Sequence, residues 1–140
     1  MTNMLHGALA SIAFTVLGAA LLLAGFLLVD WLTPGRLREQ IWIERNRNAA
    51  VFLSSALAGM AAIVFTSIIT TYADLVTGLT STAVFGLLGL LLMAGATRLV
   101  DLATPGDLGE MLVDPKSHPA VWVSSTANLA VASIVCASIT

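Results

Sequence analysis

The chain has 140 residues, of which 58% are hydrophobic and only 10% charged, with a formal net charge of -2 and a mean hydropathy of +0.95. A soluble domain carries about a quarter of its residues as charges, so this composition excludes one and points to an integral membrane protein. The acidic balance and a total of six lysines and arginines also argue against nucleic acid as a partner.

Four stretches lack any Asp, Glu, Lys or Arg: Gly7 to Val29, Ala49 to Ala73, Leu75 to Thr97 and Pro119 to Thr140. Each is long enough to cross a hydrocarbon core, which takes about 20 helical residues. The first has no basic residue before it and exceeds the roughly 7 to 15 apolar residues of a secretory signal, so it reads as a retained helix. Cys136, the single cysteine, lies in the fourth stretch and reads as a buried, inert thiol.

The sequence repeats itself. Val29-Asp30-Trp31-Leu32-Thr33-Pro34-Gly35-Arg36-Leu37 returns 71 positions later as Val100-Asp101-Leu102-Ala103-Thr104-Pro105-Gly106-Asp107-Leu108. Further on, Ala50-Val51-Phe52-Leu53-Ser54-Ser55 lines up with Ala120-Val121-Trp122-Val123-Ser124-Ser125. The expected architecture is an all-α membrane protein: four transmembrane helices in two parallel tandem two-helix repeats, residues 1–73 and 74–140, that together make one four-helix domain.

Proline disfavours α geometry in the residue before it, so the first helix should end near Leu32 and the third near Ala103. Thr33 and Thr104 would then cap short interfacial helices, with Pro34 and Pro105 at the first helical position and Gly35 and Gly106 completing each break. After the first break, Leu37 and Ile41 would share an apolar face near Trp42, but Glu44 and Arg45 cut that face short. After the second, the segment is acidic and carries the helix-weakening Gly109.

Arg36, Arg38, Arg45 and Arg47 fall between the first and second spans, and Lys116 between the third and fourth. By the positive-inside rule these connections face the cytoplasm and both termini lie outside it. Arg36, Arg38, Trp42, Arg45 and Arg47 are candidate contacts for lipid headgroups or a partner, although Glu39 and Glu44 dilute the patch.

Arg98 replaces Leu27 of the first copy and stands inside the third span. An arginine at mid-helix costs about 2.5 to 3.5 kcal/mol on the insertion scale, less near a helix end. Asp101 follows one turn on and Asp30 sits at a matching depth in the other repeat, so an ion pair with either is expected to lock the third helix against the first. Asn128, Ser54, Ser55, Thr66, Ser67, Thr70 and Ser124 to Thr126 read as hydrogen-bonding glue between helices, and spaced small residues such as Ser55 and Gly59 as sites of close approach.

No catalytic set emerges. His6 and His118 belong to opposite membrane sides in this topology, there is no paired-Cys or His-x-x-x-His spacing for a metal, and no glycine-rich phosphate loop follows a strand. No cofactor is expected. His118, ahead of Pro119, reads as a solvated interfacial residue.

The first functional reading is a non-catalytic membrane subunit that assembles as a homo-oligomer, a ring or a two-fold dimer, and docks other proteins through its cytoplasmic connections. The alternative is a small channel or transporter with a polar path near Arg98, Asp101, Asp30 and Asn128. An enzyme is the remaining class.

Thr33-Pro34 followed by Asn46-Arg47-Asn48-Ala49-Ala50, with Arg98-Leu99 ahead of Pro105, resembles the pattern of the small bacterial membrane proteins grouped as domain of unknown function 350, or uncharacterised protein family 0719. Members look like two tandem two-helix units with a Pro or Thr-Pro at the end of the first helix and an Asn-x-Ala-Ala-type start to the second. The resemblance spans nearly the whole chain. It departs at His118-Pro119-Ala120, where the second Asn-Ala-Ala would stand, and at Ser54, Ser55 and Ser125, where glycine is frequent. It implies an inner-membrane protein of an envelope or membrane-stress system, without an assigned biochemical activity.

Overall fold

The structure, a computed structural model, describes residues 2–33, 35–70, 74–103, 106, 108–114 and 116–140. Among these there are six helices and no strand: α1 (Thr2–Leu32), α2 (Leu37–Trp42), α3 (Arg47–Thr70), α4 (Leu75–Ala103), α5 (Leu108–Val113) and α6 (Pro119–Ile139). Four of them, α1, α3, α4 and α6, are long and apolar enough to cross a membrane. The order long, short, long occurs in each half, and α1 and α4 stop at Leu32 and Ala103, one residue short of each Thr-Pro.

The centre of the bundle is α3, which meets all five other helices. Its sequence explains this. Ala49, Phe52, Leu53, Ala56, Met60, Ile63 and Val64 are buried at spacings of three and four, with Ser55, Gly59 and Ser67 between them, so the helix has a wide face of small and medium side chains that others can approach closely. Ser55 and Gly59 lie opposite Asn128 and Ala132 of α6. A methyl group placed on Gly59 would come within 2.9 Å of the Ala132 Cβ. Gly89 of α4 allows the same intimacy with Ile63. The other small pairs do less, since Ala58, Ala62 and Ala20 are exposed.

Register follows from these contacts. α1 and α4 run parallel, Leu21 against Gly86 and Gly25 against Leu90. α3 and α6 also run parallel, while Gly18 against Val64 and Gly25 against Met60 set α1 antiparallel to α3. α2 and α5 therefore lie at one end of the bundle. An exact two-fold exchange of the halves would pair α1 with α6 as α4 is paired with α3. That contact is at most marginal, and α1 is the least enclosed long helix, 11% of its most apolar stretch being buried against 50% for α3.

Candidate functional site

The short-helix end of the bundle holds two features, a hydrogen-bonded clasp and a cavity. At the first break, Thr33 does not cap a new helix. Its N–H and its hydroxyl both donate to the Val29 carbonyl, at 3.0 and 2.8 Å, so it belongs to the last turn of α1. The cap of α2 comes from Asp30, whose Oδ1 accepts the Leu37 N–H at 2.7 Å. An anionic acceptor at a helix start is the stronger choice, because it meets both the unsatisfied N–H and the positive end of the dipole. Gly35 and Gly106 take φ of +92° and +126°, which a glycine adopts without steric cost. Pro34, Thr104 and Pro105 lie outside the described residues.

The face that α2 buries is Leu37 and Gln40; Ile41 is half-buried and Trp42 is exposed. Arg36, Arg38, Arg45 and Arg47 are exposed as well. Arg45 holds a left-handed φ of +55°, a conformation that costs a β-carbon-bearing residue about 1–2 kcal/mol.

Asn46 and Asn48 make the clasp. Asn46 Oδ1 accepts the N–H groups of Asn48 and Ala49 at 2.9 and 3.4 Å, capping α3, while its Nδ2 donates to the Leu112 carbonyl at 2.7 Å. The Asn48 Nδ2 group faces three carbonyls, Met111 at 3.2 Å, Asp114 at 3.1 Å and Lys116 at 2.7 Å, so one of its two protons is shared. Asn48 Oδ1 accepts the His118 N–H at 3.2 Å. The carbonyls left over where α5 ends are thus satisfied from the other half of the chain. His118 is correspondingly more than a solvated residue: it is half-buried, and its Nδ1 accepts the Ala120 N–H at 3.2 Å, capping α6.

Beside the clasp, a cavity of about 340 Å³ opens between the C-terminal turns of α1 and α4, with α3, α5 and α6 closing it. Arg98, Asp101, Asn128 and Thr97 all line it; Asp30 does not. Its walls run from Thr33 down to Gly25, about 12 Å along α1 at 1.5 Å per residue. Below that, Leu21, Met60, Val64 and Leu90 pack into an apolar layer. Arg98 is exposed and forms no ion pair with Asp101 or Asp30. Arg36 pairs with Glu39 in the first connection, at 3.3 Å. Asn128 is 2% exposed and ties three helices together: its Nδ2 donates to Ser55 Oγ at 3.3 Å, the Ser55 hydroxyl donates to the Phe52 carbonyl at 2.7 Å, and Thr97 Oγ1 reaches Asn128 Oδ1 at 3.2 Å. Thr66, Thr70, Ser124 and Thr97 also bond carbonyls of their own helices. No group of three or more potential metal ligands occurs among the described residues.

A helical bundle with four spans and a polar cluster near one end is a multi-pass membrane protein. The comparisons make this particular. The family model described as Domain of Unknown Function (DUF350) matches residues 3–139, and the chain belongs to that family. It is 35% identical to a UPF0719 transmembrane protein of Mycolicibacterium paratuberculosis over 99% of this chain and 92% of the relative. A UPF0719 transmembrane protein of Mycobacterium bovis is 36% identical over 99% of this chain and 91% of its own length. No solved structure matches the chain.

Proposed function

We propose that this protein is a non-catalytic subunit of the bacterial inner membrane that assembles with itself and docks envelope or membrane-stress proteins, together with lipid headgroups, through its cytoplasmic connections. The observation that carries this reading is the clasped end of the bundle. Asn46 and Asn48 hold the two connections together as one surface, and that surface turns Arg36, Arg38, Trp42, Arg45 and Arg47 outward. A rigid scaffold presenting exposed aromatic and arginine side chains loses little entropy when it is bound. The strained backbone at Arg45 fits a residue kept for what its side chain reaches.

A photo-crosslinking amino acid at position 42 or 45 in cells tests the docking role, with position 65, on an exposed part of α3, as the control. Discrete protein adducts at 42 and 45 that disappear in an Arg36→Glu/Arg38→Glu variant are expected. Adducts to lipid alone at both positions would sink the reading.

The alternative, a small channel or transporter, draws its support from the convergence of Arg98, Asp101 and Asn128 on one cavity. Against it, Asp30 is committed to capping α2 and the cavity ends on the Leu21, Met60 and Leu90 layer. Flux in liposomes that is lost in Arg98→Leu would favour the channel over the scaffold.

A further inference from the structure

We propose that the cavity between the ends of α1 and α4 is a binding site for one zwitterionic bilayer phospholipid, its phosphate on the Arg98 guanidinium, its ammonium toward Asp101 and the start of an acyl chain on the apolar floor. The chemistry of the lining is graded along the membrane normal. Thr33, Arg98 and Asp101 stand at the mouth, Thr97 and Asn128 follow, and Leu28, Met60, Leu90 and Met93 form the floor. Arg98 lies five residues before the end of α4 at Ala103, about 7 to 8 Å inside it, where headgroups meet hydrocarbon.

Among the described residues no carboxylate stands at ion-pair distance from Arg98, so its N–H donors, five in a planar fork, can meet an external acceptor. Phosphate is the group that matches such a fork in two bonds at once. Asp101 shares the cavity, and a carboxylate has room for several donors. Together the two charges cancel and favour a headgroup that itself carries both signs. Asn128 spends one amide proton on Ser55 and has a second to offer a glycerol or ester oxygen.

Size and polarity narrow the ligand further. The volume of about 340 Å³ is at the lower end of small-molecule sites, about 300–1,000 Å³. It holds a headgroup and the first carbons of a chain, the remainder lying in the bilayer. Free phosphate would match Arg98 and leave the apolar floor uncovered, and a diacylglycerol would cover the floor and leave Arg98 unmatched. A phospholipid satisfies both.

Native mass spectrometry of the full chain in mild detergent, titrated in turn with phosphatidylethanolamine, phosphatidylglycerol, diacylglycerol and inorganic phosphate, tests the site. The expected result is a single phosphatidylethanolamine adduct per protomer, tighter than the other three. Arg98→Leu should weaken it at least about tenfold, as should Ala94→Phe, which fills the cavity without touching a charge. Ser54→Ala, at an exposed position of α3 outside the cavity lining, should leave it unchanged. Equal binding by wild type and by the two cavity variants would overturn the proposal. So would diacylglycerol or phosphatidylglycerol binding as tightly as phosphatidylethanolamine, or inorganic phosphate occupying the site alone.

Discussion

Asn48 is the side chain on which the loop end depends most. Its amide reaches four backbone groups in the second half of the chain, and it is buried, 4% exposed. Truncation removes those bonds and leaves partly buried main-chain groups without them, each bond worth about 1 kcal/mol. Asn48→Ala should therefore cost about 2–4 kcal/mol in unfolding measured in micelles, whereas Ser54→Ala, at an exposed position, should change little. Asp30 permits a finer comparison. Asp30→Asn keeps an acceptor for the Leu37 N–H and should be mild, while Asp30→Ala should cost about 1 kcal/mol, read as fraying around Leu37 by hydrogen exchange. None of this was legible at positions 46 and 48 beyond the family-like pattern, because the partners are main-chain carbonyl and N–H groups 63 to 70 residues away that leave no mark in sequence. Equally, spacing placed Arg98 one turn from Asp101 on the same helix but could not foresee that both would line a cavity without pairing with each other.

At the level of the helix, close approach is set by single glycines. Gly59→Ala would place its methyl 2.9 Å from the Ala132 Cβ, an atom with no rotamer to escape through, so α3 and α6 must separate. A loss of about 1–3 kcal/mol is expected, with recovery in the double variant Gly59→Ala/Ala132→Gly. Gly95→Ala, with nothing within 4 Å of the new methyl, should cost nothing. Thermal unfolding of the four proteins checks both statements. The ends of α1 and α4 were readable because Thr-Pro stops a helix by local sterics alone. The start of α2 was not, since its cap is supplied by Asp30 from seven residues back rather than by the adjacent threonine.

For the whole molecule, the positive-inside rule applied to the arginines predicts the clasped end in the cytoplasm and both termini outside. In a Cys136→Ala background, a cysteine at position 2 should react with an impermeant thiol reagent added outside the inner membrane, and one at position 45 only after the membrane is opened. The reverse pattern would overturn the orientation. Self-assembly is checked by native mass spectrometry from several mild detergents, where an oligomer of fixed count is expected and a persistent monomer would remove that part of the proposal. Four spans were plain from the charge-free stretches. The unequal embrace of the two halves, α4 against α3 but α1 against α6 at most marginally, was hidden, because tandem copies of a sequence do not fix how their helices share a centre.

The clasp also sets an order of events in the ribosome's time. Asn48 is synthesised 63 to 70 residues before the groups that it binds, an interval of about 3 to 14 seconds at 5–20 residues per second. Through that interval the start of α3 has only Asn46 and water to satisfy it. A nascent first half therefore keeps its loop side wet and open until the second half arrives, and the last bonds to close are those that turn two hairpins into one molecule.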